Sequence, residues 1–210
     1  MAQKNDKDER PRKSERINVG RRAFLKTAGV APLAAGVIGG VAELEAQTSR
    51  VVGPGEVPIQ LIVNGKRLNL NVEPRVTLLN AIRDRADITG NKRGCDRGAC
   101  GACTMIVDGK TAYSCSTLAI EVQGKQIRTV DGLANGATLH PVQQAFCDRD
   151  ALMCGFGTPG FVMATVALIE KHPNPTPAQV KRGLDGNICR CGTFTRIMEA
   201  ATSVKGVARG

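Results

Sequence analysis

The 210-residue sequence predicts an α+β fold in which a module of mixed sheet and helix precedes an all-helical module. Two observations carry this prediction. Between residues 59 and 114, apolar residues alternate with polar ones around Asn-Gly and Asp-Gly pairs, as in β-hairpins. From residue 139 onward, three X-Pro pairs open segments with a helical pattern. We therefore place the first module at residues 58–133 and the second at residues 134–205.

Two alternating segments form the first predicted hairpin. Asn64-Gly65 suits a type I′ turn between them, because both central residues of that turn need positive φ. Residues 77–82 then suit a short helix, with Thr77 as a possible N-cap. The inward-facing residues of the hairpin are predicted to be Ile59, Leu61, Val63, Leu68, Leu70 and Val72.

A second predicted hairpin pairs residues 103–107 with residues 111–114 about Asp108-Gly109. Val130 is predicted to close the first module.

The helical module is marked by proline at helix starts. Pro is favoured in the first helical turn, where its missing N–H costs nothing. Thr158 and Thr176 are the predicted N-caps of two helices, and Thr193 or Thr195 of a third. The three marker pairs are His140-Pro141, Thr158-Pro159 and Thr176-Pro177.

Composition excludes several classes of protein. The formal net charge is +10, but only 3% of the residues are aromatic and none is Trp. Few rings are therefore available to stack on bases, which argues against a nucleic-acid binder. No apolar run reaches about 18 residues without a break, which excludes a multi-span membrane protein. Eight Cys against two His point to thiol chemistry.

The N-terminal segment has the order of an export signal. A basic region ends at Arg21 and Arg22, an apolar stretch covers residues 27–41, and Ala42 and Ala46 are candidate cleavage positions. The run GRRAFLK resembles the twin-arginine signal, which an export machinery reads as an address. The resemblance implies that residues 1–46 send a folded protein to the periplasm, with membrane contact only during export. For residues 1–46, a disordered tail and a short buried helix are the alternatives to an export signal. Residues 47–57 are predicted to form a linker.

Four cysteines lie between and beside the two hairpins with the spacing C-x4-C-x2-C-x11-C, which is typical of plant-type [2Fe-2S] sites. Gly94, Gly98 and Gly101 suit such a loop, because glycine takes positive φ and lets backbone N–H groups approach the sulfurs. A zinc site would more often show two C-x2-C pairs, and disulfides would be poorly spaced here, but both remain alternatives. The four predicted ligands are Cys95, Cys100, Cys103 and Cys115.

Residues 94–104 together with Cys115 resemble the ferredoxin-type site in the small subunits of molybdenum hydroxylases, the xanthine dehydrogenase and aldehyde oxidase family. Residues 139–146, 154–160 and 186–192 are similar to the helical domain of that family. The resemblance spans about residues 57–204 and is greatest to the small subunits of bacterial periplasmic aldehyde oxidoreductases. It implies a β-grasp ferredoxin-like domain followed by an all-α four-helix domain, each holding one [2Fe-2S] cluster.

The second cluster site departs from the family pattern at two positions. The family ligands follow C-x2-C and then C-x-C, and this register falls on Cys154, Gly157, Cys189 and Cys191. Gly157 has no side chain, so one iron lacks a protein ligand. Met153 stands where the family usually has Gln, near the pterin of the partner's molybdenum cofactor. A cluster with a substitute ligand, an empty or labile site, and an altered residue in this particular chain all remain open.

Cys147 is the remaining cysteine. On one continuous helix it would lie about 10 Å from Cys154, too far to share a compact cluster. We interpret it as a small buried apolar residue beside Phe146, with a substitute ligand as the alternative if the helix breaks between the two cysteines. His140 and His172 do not form a paired motif, which argues against a Rieske-type site.

The sequence offers no nucleophile with its base and no dinucleotide loop, so we expect electron transfer rather than substrate chemistry. By resemblance, a large partner subunit carries the molybdenum-pterin site and hydroxylates an aldehyde or an aza-aromatic compound. Electrons would pass to the helical-domain cluster, then to the ferredoxin-type cluster, and out to an FAD subunit or a cytochrome. Arg190 and Arg196 could tune cluster charge or meet the partner. A free-standing periplasmic ferredoxin-like carrier and a non-redox zinc or disulfide protein are the alternatives.

Overall fold

The computed structural model describes residues 52–205, so the predicted export signal and its cleavage positions lie outside the described residues. A five-stranded mixed sheet occupies the first part of this range. In sequence order the strands are β1 (Val57–Val63), β2 (Lys66–Val72), β3 (Thr104–Val107), β4 (Lys110–Tyr113) and β5 (Gln126–Arg128).

The sheet has the strand order β2-β1-β5-β3-β4. β1 pairs antiparallel with β2 and parallel with β5, while β3 pairs antiparallel with both β4 and β5. The two hairpins are therefore joined through β5 at the centre of the sheet.

The first hairpin confirms the predicted turn. Val63 pairs with Lys66 across a two-residue loop, and Asn64 and Gly65 have φ values of 50° and 77°, as a type I′ turn requires. Asp108 and Gly109, with φ values of 47° and 76°, make the matching turn of the second hairpin. The inward faces agree in part: Ile59, Leu61, Val63 and Val72 are buried, whereas Leu68 and Leu70 are half-buried.

The predicted short helix forms with the predicted cap. Thr77 accepts a hydrogen bond from the Asn80 backbone N–H at 3.3 Å, and the helix α1 covers Leu78–Asn80. It continues as one π-helical turn over Ala81–Arg85.

Strand β5 was not predicted. It has three residues, of which only Ile127 is buried, while Gln126 is exposed. So short a segment shows no alternation from which a strand could be inferred. Its pairing with two other strands comes from the tertiary structure.

Four helices follow the sheet: α2 (Pro141–Asp148), α3 (Thr158–Lys171), α4 (Pro177–Leu184) and α5 (Phe194–Ser203). Thr176 caps α4 as predicted, accepting from the Gln179 backbone N–H at 3.3 Å. The predicted Thr158 cap is wrong: Gly157 holds the N-cap position of α3, and Thr158 is already helical. Thr193 holds the N-cap position of α5, but its hydroxyl makes no capping hydrogen bond.

Two hydrophobic cores lie on opposite faces of β3. Met105 and Val107 pack with α1 and the other strands, whereas Ile106 packs with the helices. Arg128 of β5 also pairs with Glu170 of α3 through two hydrogen bonds of 2.7 and 2.6 Å.

The mixed sheet followed by helices confirms the predicted α+β class, while the division at residue 133 stays a prediction. None of the helices within the described range has the length and apolar character that a membrane span needs.

Candidate iron-sulfur sites

The first cysteine group is assembled by the long loop before β3 and by the β3–β4 hairpin. Thr104 pairs with Tyr113, so Cys103 and Cys115 lie close together just outside the paired strands. Both are buried, whereas Cys95 and Cys100 on the loop are half-buried. The structure thus brings together all four predicted ligands of the first site.

Backbone N–H groups surround the sulfurs of this site. Ala99 and Cys100 donate to Cys95 Sγ at 3.2 and 3.3 Å, and Gly98 donates to Cys115 Sγ at 3.2 Å. Gly98 takes the predicted positive φ of 69°. Such donors stabilise thiolates and, through them, the negative charge of an iron-sulfur cluster.

Gly94 is needed for a different reason from the one predicted. Gly94 is not among the positive-φ glycines, but a Cβ there would lie 2.9 Å from Cys100 Sγ. The loop therefore passes too close to the sulfur for any side chain. Gly101 has the predicted positive φ, at 72°.

The metal-free thiols differ in acidity. Backbone N–H groups of Arg97 and Ala99 lower the pKa of Cys95 to about 6. Burial raises the pKa of Cys103 to about 11; the backbone N–H of Cys115 opposes this increase, and the Cys115 thiol adds to it. A bound metal ion deprotonates a coordinating thiol outright, so Cys103 is the thiol whose ionisation depends most on the metal.

The four thiols of the first site form two contacting pairs, Cys95 with Cys100 and Cys103 with Cys115. A [2Fe-2S] cluster divides four thiolates between two irons, and this pairing supplies one pair to each. Four thiols in two contacting pairs are a donor set that fits a binuclear cluster.

The second cysteine group lies on two loops, each of which leads into a helix. Cys154 precedes α3, and Cys189 and Cys191 precede α5. Cys191 Sγ lies 3.2 Å from Cys154 Sγ, while Cys189 Sγ lies 3.1 Å from the Thr193 hydroxyl. The three predicted ligands of the second site are thus brought together, and Thr193 faces Cys189 instead of capping its helix.

Local hydrogen bonds also shift the pKa values of the thiols in this second group. The Phe156 backbone N–H lowers the pKa of Cys154, whereas the hydrogen bond with Cys154 raises the pKa of Cys191. Burial would raise the pKa of Cys189, but donors led by the Thr193 hydroxyl outweigh it and lower this pKa.

Gly157, the fourth family position, is in an ordinary conformation. Its φ and ψ are −82° and −19°, in the right-handed helical region that any residue adopts. A Cβ built there would meet one atom within 4 Å, the Ile188 carbonyl oxygen at 3.3 Å. The backbone would therefore accept a side chain at position 157, although the sequence supplies none.

Cys189 and Cys191 of the second site are half-buried, and five exposed apolar residues lie within three positions of its cysteines in the sequence; we call them the apolar rim. Cys154 itself is exposed. Arg190 is exposed nearby, and Arg196 is engaged in an ion pair with Asp150. The members of the apolar rim are Leu152, Met153, Phe156, Ile188 and Phe194, with Met153 the most exposed at 68%.

The prediction that Cys147 is buried beside Phe146 is wrong. Phe146 is buried, but Cys147 is exposed on α2. A helix buries one face only, and the neighbouring residue of a buried side chain lies about 100° away around the axis.

A set of hydrogen bonds between the two sites was missed by sequence reasoning. The Ile188 N–H donates to the Cys100 carbonyl at 2.9 Å, and the buried Asn187 side chain donates to the Gly101 carbonyl at 2.9 Å. The Tyr113 hydroxyl also donates to the Gly186 carbonyl at 2.8 Å. The sequence feature that could have indicated these bonds is Asn187, a polar residue between a glycine and an apolar residue. Its hydrogen-bond partner Gly101 is 86 residues away, so the sequence pattern alone does not identify the partner.

Two family models match the chain. A "2Fe-2S iron-sulfur cluster binding domain" matches residues 68–154, and a "[2Fe-2S] binding domain" matches residues 129–202. Together they cover both cysteine groups.

Several curated proteins and solved structures are similar to the chain. The nicotine 6-hydroxylase small subunit of Paenarthrobacter nicotinovorans is 45% identical over 150 residues, covering 71% of this chain and 90% of that protein. The aldehyde oxidoreductase iron-sulfur-binding subunit PaoA of Escherichia coli K12 is 37% identical over 168 residues, covering 73% of each. A chain of quinoline 2-oxidoreductase from Pseudomonas putida 86 superimposes with a TM-score of 0.69 at 38% identity, covering 70% of this chain and 91% of that one.

Proposed function

Because the chain belongs to the family of iron-sulfur small subunits of xanthine, aldehyde and nicotinate dehydrogenases, we propose that its two cysteine groups hold two [2Fe-2S] clusters in series. The protein is an electron-transfer subunit of an oxidoreductase complex whose substrate site lies on a partner subunit. The number of clusters, their ligands and the order of transfer are the parts that we propose.

The two hydrophobic cores correspond to two domains in this proposal. The sheet, α1 and the first cysteine group form a β-grasp domain, and α2 to α5 with the second group form a four-helix domain. The boundary falls near residue 133, within the range of 129–154 that both family models match.

The proposed ligands differ in number between the two domains. Four thiols hold the first cluster, and Cys154, Cys189 and Cys191 hold the second. When bound, each cluster accepts and releases one electron at a time. The chain's own residues hold the thiolates, supply hydrogen bonds to the sulfurs and set the spacing between the two sites. The ligands of the first cluster are Cys95, Cys100, Cys103 and Cys115.

The hydrogen bond from Ile188 to Cys100 is the observation that carries the series arrangement. Ile188 is bonded covalently to Cys189, so one hydrogen bond of 2.9 Å and one residue separate the backbone of Cys100 from that of Cys189. Asn187 holds this crossing in place through Gly101. The arrangement gives the two sites a fixed and short separation, which single-electron transfer requires.

The exposure of the second site supports the order of transfer. The apolar rim leaves this site open on one side, and exposed apolar clusters mark surfaces that bind other proteins. We place the large molybdenum subunit there, so that the second site receives electrons and the first site passes them to an FAD subunit or a cytochrome. An aldehyde or an aza-aromatic compound is the proposed substrate of that complex, in keeping with relatives named for aldehyde, nicotine and nicotinate.

The periplasm is the proposed location. Arg21 and Arg22 precede an apolar stretch in the order of a twin-arginine signal. That route carries folded proteins, so the clusters would be inserted before export, while the thiols are still in a reducing compartment. Replacing both arginines with lysine should leave a protein with clusters and an uncleaved signal in the cytoplasm, as fractionation and immunoblotting would detect. Normal recovery from the periplasm would contradict the proposed address.

The function is tested by purification of the tagged chain with its native partners, followed by electron paramagnetic resonance. We expect a large subunit containing molybdenum to co-purify, and substrate of that complex to reduce the clusters in the absence of any other donor. A coloured protein that purifies alone would indicate the free-standing carrier. A colourless protein containing zinc or only disulfides would contradict the iron-sulfur function.

A further inference from the structure

The second site divides its three thiols unequally. Two thiolates bound at about 2.3 Å to one tetrahedral metal ion lie about 3.7 Å apart. Cys154 Sγ and Cys191 Sγ, at 3.2 Å, therefore suit one iron of a binuclear cluster. Cys189 is left to hold the other iron, and the side chain in contact with its sulfur is Thr193, an alcohol.

The space beside position 157 is open. Apart from its neighbours along the chain, a Cβ at Gly157 would meet within 4 Å only the carbonyl oxygen of Ile188, at 3.3 Å, in the described part of the chain. Ile188 immediately precedes Cys189, so this opening lies beside the residue that would hold the iron with only one thiolate from this chain. Gly157 is half-buried and Ile188 is 54% exposed, so a molecule can reach the opening from outside.

We propose that the iron held by Cys189 takes its fourth ligand from outside this chain, at the opening beside Gly157, and that this ligand is a thiolate. The inference rests on the proposed second cluster. Iron in such clusters is a soft centre that binds sulfur in preference to water or alcohol. The apolar rim also suits the carbon chain of a thiol. On binding, the thiol would release one proton to solvent and its sulfur would fill the ligand position that this chain leaves vacant, and no electron would be transferred.

Two donors within the chain are the rivals to this ligand. The Thr193 hydroxyl is near, but an alcohol is a poor ligand for a soft metal centre and must lose a proton of very high pKa. Cys147 has the right chemistry, but it is exposed on α2 and precedes the loop that carries Cys154. Thr193→Val and Cys147→Ala remove these donors one at a time.

The experiment uses the full chain, reconstituted without oxygen from iron and sulfide, desalted, and divided into samples with and without 2-mercaptoethanol. We expect about two Fe per chain and one EPR signal on reduction without the thiol, and about four Fe and a second signal with it. Gly157→Cys should give about four Fe without any added thiol. Gly157→Ala is the matched control, because its methyl group occupies the opening without supplying a sulfur, and it should give about two Fe per chain with or without added thiol.

Repeating the measurement on the complex with the large subunit distinguishes the two possible sources of the thiolate, a cysteine of the partner and a small free thiol. A second signal that survives desalting but disappears when the partners are separated identifies a cysteine of the partner. A signal that still requires added thiol identifies a small free thiol. Both results support an external thiolate.

Other results would overturn the proposal. A complete second signal in the isolated chain without thiol means a ligand from the chain or from water, and its loss in Thr193→Val or Cys147→Ala would name the residue. A second signal that never forms with thiol would also overturn it. In either case an intact first signal and co-purification with the large subunit would leave the electron-transfer function standing, so the two failures are distinguishable.

Discussion

The two cysteine sites are built in opposite ways. The first has four thiols, two of them buried, and its sulfurs receive hydrogen bonds from a loop whose glycines permit close approach. The second has three thiols, of which Cys154 is exposed, and the apolar rim lies beside it. One site is completed within the fold, and the other is left open.

This difference indicates where each site obtains its stability. The first site is enclosed by its own loop and by contacts with the helical part, so the chain alone determines its geometry. The second lies beside the exposed apolar rim, the surface at which we have proposed that the large subunit binds. Four predictions test this contrast, in order of decreasing effect.

The largest effect is expected from Cys100→Ser. A hydroxyl is a poor ligand for iron in a sulfur cluster, so the first EPR signal should be lost completely and the sheet should be destabilised with it. Cys147→Ser is the matched control, because Cys147 is exposed and belongs to neither proposed ligand set. An unchanged ferredoxin-type spectrum in Cys100→Ser would show that the ligand assignment is wrong.

A pair of glycine substitutions compares the packing of the two sites. Gly101→Ala places a Cβ 2.5 Å from both Asn187 Nδ2 and the Gly186 carbonyl oxygen, at a φ of 72°, and should cost about 2–5 kcal/mol in unfolding free energy. Gly192→Ala has a similar φ of 81° but no neighbour within 4 Å, and should cost about 1–2 kcal/mol. Denaturant unfolding measures both. Equal costs would contradict the view that only the first site is tightly enclosed.

Removing the buried Asn187 contact between the two sites should have a moderate effect on the unfolding free energy. Asn187→Leu removes hydrogen bonds to Gly101 and to the Thr104 hydroxyl, and we expect a loss of about 1–2 kcal/mol. The loss stays moderate because the Gly101 carbonyl still accepts from Thr104. The magnetic interaction between the two reduced clusters should weaken as their spacing loosens. Asn69→Leu, at an exposed hydrogen bond with Gln60, is the control and should change stability by less than about 0.5 kcal/mol.

The smallest effect concerns the open side of the second site. Met153→Glu places a charge on the most exposed member of the apolar rim and should weaken binding of the large subunit about tenfold, which is about 1.4 kcal/mol. The unfolding free energy and the first EPR signal should not change. Val52→Glu, at an exposed apolar residue outside the rim, is the control for surface charge. If both variants bind the large subunit as tightly as the unmodified chain does, the apolar rim is not part of the surface that binds the partner.

Local signals in the sequence were sufficient for much of the fold. Asn64-Gly65 fixes its turn because both residues take positive φ, and Thr77 and Thr176 cap their helices through bonds to N–H groups three residues away. These features depend on neighbouring residues only. The Thr158 cap failed because Gly157, one residue earlier, already ends the loop.

The cysteine spacing by itself determined which thiols meet in the first site, because three of them share one short loop and a hairpin brings in the fourth. Only the tertiary structure decided the central position of β5, the exposure of Cys147 and the crossing of Asn187 to Gly101. Each of these depends on a surface that a distant part of the chain provides, and no local pattern encodes such a partner. The opening at Gly157 depends on both sequence and tertiary structure. The sequence has glycine where the family has a cysteine, and the packing around Ile188 leaves the position of the missing side chain accessible.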